Sequence, residues 1–243
     1  LAEQFPIATD SGKLLRFVPP QADGLAYECR IWENGEVETR PDNWHDFFNA
    51  LVWLTFPRTK IAVSGCHVGA MAPDGAARGT VSARHVGAMS SSGEPRGTVR
   101  DVLTHFDECG IAVLSDNPEL LALLRDFQWR QLFVERRAEV ERNMRFVVFG
   151  HATYEALLQP YRGLTAKAVL YEVDNKWLQL SLEAQIAAVD KLLASDFASG
   201  RFARPRDFQP LPLLGIPGVV PENEDPAYYD DTWQFRPGRR QPA

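Results

Sequence analysis

Three short stretches carry side chains able to move protons or hold a cation. The first, "NWHDFFN" at residues 43–49, sets His45, Asp46 and Asn49 at the head of a run that is otherwise almost wholly apolar. The second, "DVLTHFDE", holds Asp101, His105, Asp107 and Glu108, and the third, "HATYE", puts His151 and Glu155 at i and i+4. Histidine with carboxylates can bind a divalent metal and activate water, or can work without metal as an acid–base pair. The candidate catalytic residues are therefore His45, Asp46, Asn49, Asp107, Glu108, His151 and Glu155, with a divalent metal as candidate cofactor on His151, Glu155 and Asp107. The spacings H-x-x-x-E and H-D-x-x-N are weakly specific, because any helix brings i,i+4 polar pairs together.

Each of these residues also fits a structural role. Asp46 suits a capping arrangement with Asn43, and His45 suits a core histidine donating to a carbonyl. Asp101 and His105 share the polar face of a helix whose other face is Val102, Leu103 and Phe106, which reads as solvation. Asp107 and Glu108 precede Gly110 and suit a cap or turn, while His151 and Glu155 suit a structural pair. Cys109 stands beside carboxylates that raise a thiol's pKa, so it reads as inert.

The elements that must position these residues can be read from pattern. "AYECRIW" and "NGEVETR" flank Asn34-Gly35 and predict a hairpin, since Asn-Gly favours a tight type I′ turn. Asn43 as N-cap and Pro57 as terminator predict a helix over residues 44–55. On its wheel His45, Asp46 and Asn49 fall within roughly a 100° arc, while Phe47, Phe48, Leu51, Val52 and Leu54 fill the rest. A helix apolar on most of its circumference is surrounded by protein, so its polar arc should face a cleft or a buried partner. "TKIAVSG" reads as a short strand. "RDVLTHFDECGIAVLSDNPELLALLRDFQWRQLF" reads as a short helix, a Gly110 break, an apolar strand and a long helix starting at Asn117-Pro118-Glu119. In that long helix Leu120, Leu121, Leu124, Phe127 and Leu132 form the buried stripe. Gly150 and His151 open another helix that Pro160 stops, "LTAKAVLYEV" is a strand, and "SLEAQIAAVDKLLAS" is an amphipathic helix. No run of βαβ units appears, so the predicted class is α+β, helix-rich, with a small sheet.

Residues 64–99 hold a tandem duplication: "SGCHVGAMAPDGAARGTV" is followed directly by "SARHVGAMSSSGEPRGTV", identical at 11 of 18 positions. Two Gly/Ser/Pro-rich copies are too few for a solenoid and predict a duplicated loop, one copy dispensable, that carries His67 and His85 in equivalent places. The expected organisation is a core over residues 1–200 and a Pro-rich extension over 201–243. The apolar content of "LPLLGIPGVV" and "YYDDTWQF" predicts that the extension packs on the core with only its last residues free.

Composition narrows the function classes. A net charge of -6 gives no bulk attraction to phosphate backbones, so general nucleic-acid binding is disfavoured. Three cysteines, Cys29, Cys66 and Cys109, without a CxxC pair give neither a disulfide framework nor a zinc ribbon. No apolar stretch reaches the roughly 20 residues of a membrane helix and no basic-then-apolar leader is visible, so a non-membrane, cytoplasmic protein is expected.

The ordered motifs "TRPDNWHDFFNALVWLTFPRTK", "RGTVRDVLTHFDECG", "FGHATYEALLQPYRGLTAKAV" and "LPLLGIPGVVPENEDPAYYDDTWQFRP" carry a resemblance spanning roughly residues 27 to 237. The chain resembles the bacterial domain of unknown function 3025 family. The resemblance implies a single domain of Gram-negative origin and brings no activity, cofactor or catalytic residue with it. The duplication departs from the family pattern, and because "SARHVGAM" runs directly into Arg100-Asp101, the first copy reads as the insertion.

Three functions are compatible with these features. The first is a hydrolase, with or without metal assistance, built on the three polar stretches around one cleft. The second is an interaction module, in which the polar set is a structural network and the aromatic tail or the 64–99 loop docks a protein partner. The third is local nucleic-acid contact through Arg78, Arg84, Arg96 and Arg100. The enzyme reading leads, because buried polar arcs on apolar helices cost stability and need a reason.

Overall fold

In a computed structural model of the chain, which describes residues 6–71 and 96–238, β1 (Arg16–Val18) pairs in parallel with β2 (Glu36–Glu38), Phe17 opposite Val37. Between them runs the helix α1 (Tyr27–Asn34), where the sequence predicted the first arm of a hairpin. Asn-Gly is equally a helix stop: Gly35 sits at φ 72° and donates its N–H to the Ile31 carbonyl at 2.9 Å. A side chain at Gly35 would strike the Leu14 carbonyl. The choice of helix is made by packing, with Ile31, Val37, Leu15 and Trp53 closing a small core.

The next helix, α2 (Trp44–Thr55), starts as its sequence predicts, the Asn43 side chain accepting the Asp46 N–H at 2.9 Å. Pro57 ends it and opens a further helix, α3 (Pro57–Met71), where "TKIAVSG" had read as a strand. The reason is a cap from far along the chain. Asp190 accepts from the Arg58 and Thr59 N–H groups at 3.1 and 2.8 Å and from the Thr59 hydroxyl at 2.8 Å, satisfying donors that a helix start leaves open.

Residues 72–95, with His85, Arg78 and Arg84, lie outside the described residues, as do 239–243 at the end of the tail. The ends of the duplication are helical, not loop. Ser64–Met71 of the first copy finish α3, with Cys66 and His67 buried, and Arg96–Val99 of the second begin α4 (Arg96–Cys109). The opening of the first copy therefore packs in the core.

The main sheet takes its shape from β3 (Gly110–Ser115), whose six residues are all buried. Period-two alternation sends Ala112 and Leu114 to one face and Ile111 and Val113 to the other. After it come α5 (Pro118–Arg125), α6 (Arg137–Asn143), β4 (Met144–Val148), α7 (His151–Leu158), β5 (Thr165–Glu172), α8 (Leu182–Ala198) and β6 (Gln209–Pro212). The strand order is β4-β3-β5-β6, with β3 parallel to β5 and the other two pairs antiparallel. The class is α+β and helix-rich, as the sequence predicts. The predicted long helix is shorter, because Phe127 takes φ 57° after α5 and a π-helical turn follows at Gln131–Glu135. Leu120, Leu121, Leu124 and Leu132 remain buried.

One face of the sheet packs Val102, Leu103 and Phe106 of α4 and Val189, Leu193 and Phe197 of α8. The other packs the leucines of α5 with Leu211, Leu213, Leu214, Tyr229 and Phe235 from beyond residue 201. Among the described residues no helix is long and apolar enough to cross a membrane.

Cys66 lies where α3 meets α8, its thiol against the Phe197 carbonyl at 3.6 Å, and burial pushes its pKa up to about 12. At pH 8 only about one thiol in 10⁴ would be thiolate, the reactive form. Cys66 is therefore expected to escape iodoacetamide in the folded chain and to label only in denaturant, as read by peptide mass spectrometry. Rapid labelling under native conditions would mean that the α3–α8 contact opens.

Candidate functional site

The site is assembled where two turns approach the end of α4. Gly110 follows α4 directly, and a side chain there would collide with Phe106. Gly150, which precedes α7, lies so close to the Glu108 carbonyl and the Cys109 backbone that no Cβ fits. Its N–H and that of Phe149 donate to the Gly110 carbonyl at 2.8 and 2.9 Å. This clamp fixes His151, the first residue of α7, with Nδ1 2.7 Å from the Asp107 carbonyl oxygen. The first turn of α2 packs on α7, Phe48 stacking on Tyr154, and so brings His45 to His151.

The two rings meet edge to face at 72°, centroids 4.5 Å apart, with Nε2 3.0 Å from Nε2. Each is held from behind: His151 Nδ1 faces the Asp107 carbonyl, and His45 Nδ1 lies 3.1 Å from a Glu155 carboxylate oxygen. Assigning tautomers from these acceptors places a proton on each Nδ1 and leaves a lone pair on each Nε2. Two lone pairs 3.0 Å apart repel unless a cation, a proton or a metal, lies between them. The Glu108 carboxylate lies nearby: one ligand atom from each of His45, Glu108 and His151 is within 4.8 Å of the others.

Behind this trio stands a charged network. Lys60, buried, donates to both Asp107 carboxylate oxygens at 2.7 and 2.8 Å and to Asn49 Oδ1 at 2.9 Å, and Asn49 in turn donates to the Tyr27 hydroxyl at 2.8 Å. Burial pushes the Asp107 carboxyl up, but the Lys60 ammonium and His151 outweigh it and hold the group below the ordinary aspartate value. Asp46 accepts the Arg40 guanidinium at 2.8 Å on each oxygen and the Arg40 N–H at 2.7 Å. Glu28, partly buried and taking the Ser64 hydroxyl at 3.0 Å, is pushed up by desolvation, with His67 opposing.

These side chains line one cavity of about 410 Å³: Tyr27, Glu28, Arg40, His45, Asp46, Asn49, His67, Thr104, Asp107, Glu108 and His151 among them, with Glu38 at the side. The three polar stretches thus meet. Of the candidate residues, His45, Glu108 and His151 converge on one point, while Asp46, Asn49, Asp107 and Glu155 each hold another residue. The group that could hold a cation, His45, Glu108 and His151, is not the expected trio of His151, Glu155 and Asp107. Asp107 is engaged by Lys60 and Glu155 sits behind His45, so Glu108 and His45 stand where Asp107 and Glu155 were expected. Asp101 and His105 are exposed, as solvation predicts. Sequence reading missed Lys60, Glu28, Arg40 and His67. The first two lie in segments read as strands, and His67 was discounted because its motif is duplicated.

Burial lowers the His151 pKa to about 4, with Asp107 opposing, so the ring is neutral at neutral pH. Between pH 4 and 6.5 the unfolded chain binds the proton that the folded ring refuses. Stability is therefore fully present above about pH 6.5 and is lost as the pH falls toward 4, a loss on the order of 3 kcal/mol. Urea unfolding at pH 7 and pH 4.5 should show this fall in the wild type and a shallower one in His151→Gln. Equal slopes in the two proteins would contradict it.

Neither a search of curated proteins nor one of solved structures finds a match. The family model described as "Protein of unknown function (DUF3025)" matches residues 15–239, which includes every residue of this site. Since that match spans nearly the whole chain, the protein belongs to the DUF3025 family.

Proposed function

We propose that the protein is a hydrolase whose divalent metal ion is held by His45, Glu108 and His151. The observation that carries this reading is the pair of imidazole Nε2 atoms 3.0 Å apart, each with its Nδ1 turned to an outer acceptor. Metal-binding histidines have that arrangement, the outer hydrogen bond fixing the tautomer and raising ligand basicity. Two imidazole nitrogens sharing one ion would stand roughly 3 to 3.5 Å apart, a range that includes this pair. Two imidazoles and one carboxylate leave coordination positions open for water and substrate, as in catalytic sites. Such an ion lowers the pKa of its bound water to about 7 and polarises the substrate oxygen. Hydrolysis there would consume one water, its hydroxyl going to the electrophilic centre as the bond to the leaving group breaks and its remaining proton going to the departing atom.

The chain's own residues have supporting roles in this reading. Glu155 and the Asp107 carbonyl orient the two rings, and Lys60 neutralises Asp107 so that the site is not overcharged with carboxylates. The test is a panel of chromogenic phosphomonoesters, phosphodiesters and carboxylic esters, assayed with metal-loaded protein beside Glu108→Ala. Turnover that disappears in the variant supports the reading; turnover equal in both would overturn it.

A further inference from the structure

Beside the metal cleft lies a second cavity of about 500 Å³ whose lining includes Arg40, Trp44 and Phe47. Arg40 lines both cavities, so they adjoin at that residue. One side of the second cavity is walled by the rings of Trp44 and Phe47. Trp44, Phe47 and Leu51 occupy i, i+3 and i+7 of α2 and remain 58, 48 and 37% exposed, although the rest of that helix is largely covered. The rings are braced: Trp44 meets Phe47 edge to face at 5.7 Å and stacks on Phe48 at 5.9 Å, and Phe48 stacks on Tyr154 of α7.

Charge decides what could bridge the two cavities. Two carboxylates of the cleft have a protein cation to themselves, Asp46 with Arg40 and Asp107 with Lys60, while Glu38 shares Arg30 with Asp23 and Glu36. Glu28 is held toward its neutral form by burial. Glu108 and Glu155, on either side of the two imidazoles, would balance a dication, so an anion would be drawn by the open positions on the ion and by the Arg40 guanidinium beside it. Arg40 spends Nε and Nη2 on Asp46, and among the described residues its Nη1 takes no acceptor.

We infer that the two cavities form one composite site for an oxyanion carrying a planar apolar group, the anion on the metal and Arg40 and the flat group against Trp44 and Phe47. An aryl or nucleoside phosphate ester has that chemistry. The inference rests on the metal-centre reading and adds the substrate class.

The test is calorimetric titration of the full-length, metal-loaded chain with phenylphosphonate and with methylphosphonate, which share the anion and differ in the ring. Aromatic stacking is worth enough to predict about a 10-fold preference for the phenyl compound. Phe47→Ala and Trp44→Leu, the latter keeping an apolar helix-compatible side chain, should each erode that preference and leave methylphosphonate binding unchanged. Equal affinity for the two phosphonates, or a preference untouched by both variants, would overturn the shelf and leave the metal centre standing. Absence of phosphonate binding to demonstrably loaded protein would overturn the oxyanion assignment. A chain that takes up no metal would instead overturn the underlying reading.

Discussion

Replacing His45 by alanine is expected to abolish bound metal and to cut hydrolysis by at least about 100-fold, since metal polarisation supplies several kcal/mol of transition-state stabilisation. The fold should survive. His45 is about one-third exposed, and its ring is bonded to Glu155 and His151 and to no core backbone group. The metal-free variant should therefore melt within a few degrees of the metal-free wild type. His151→Ala should lose metal and activity equally but melt lower, because a buried ring and its bond to the Asp107 carbonyl go with it. Loss of that bond costs about 1–3 kcal/mol and lowers Tm by roughly 2–4 °C per kcal/mol. Glu155→Gln tests the outer shell and should weaken metal affinity by about 10- to 100-fold without removing the site. Full activity in His45→Ala would contradict the account.

The largest effect on stability is expected at Asp107, not at a ligand. Asp107→Ala strands the Lys60 ammonium, whose side chain is 4% exposed, with its hydrogen bond to Asn49, the face of Trp53 5.2 Å from Nζ and the nearby Glu28 in place of an ion pair. Removing one partner of a buried ion pair costs about 3–5 kcal/mol. Tm should fall by roughly 6–20 °C at about 2–4 °C per kcal/mol in a chain of this size. Lys60→Met should be comparably harmful because it leaves a buried carboxylate without its cation. The double variant Lys60→Met/Asp107→Leu should recover part of the loss, since neither charge is then stranded. A double variant whose losses simply add would show that the pair is not the source of the cost.

What the sequence made legible was local. The cap Asn43, the Pro118 start after Asn117, the six-residue apolar run of β3 and the Gly150-His151 turn are each dictated by neighbours within a few residues, and each forms as written. The misreadings were nonlocal. α3 is capped by Asp190, 131 residues away, and α1 is held by Arg30 in a cluster of Asp23, Glu36 and Glu38 that only the folded chain brings together. The candidate site divides in the same way. Its histidines stood out because they head apolar helices. Which carboxylate faces which ring depended on how α4 ends at Gly110 and how closely Gly150 approaches it, and no spacing within one segment encodes that. Lys60 was hidden for the same reason, since its segment, read as a strand, would have sent alternate residues to opposite faces.

The claim on which the rest depends is that the two facing Nε2 atoms and Glu108 bind a metal. It is tested most directly by elemental analysis of the full chain, purified without a polyhistidine tag or chelator and dialysed after incubation with Zn²⁺, Mn²⁺, Co²⁺ or Fe²⁺ in turn. The account predicts one equivalent of at least one of these ions per chain, lost in both His45→Ala and Glu108→Ala while circular dichroism shows both variants folded. Substoichiometric uptake of all four ions by the wild type, or uptake that survives both substitutions, would contradict it.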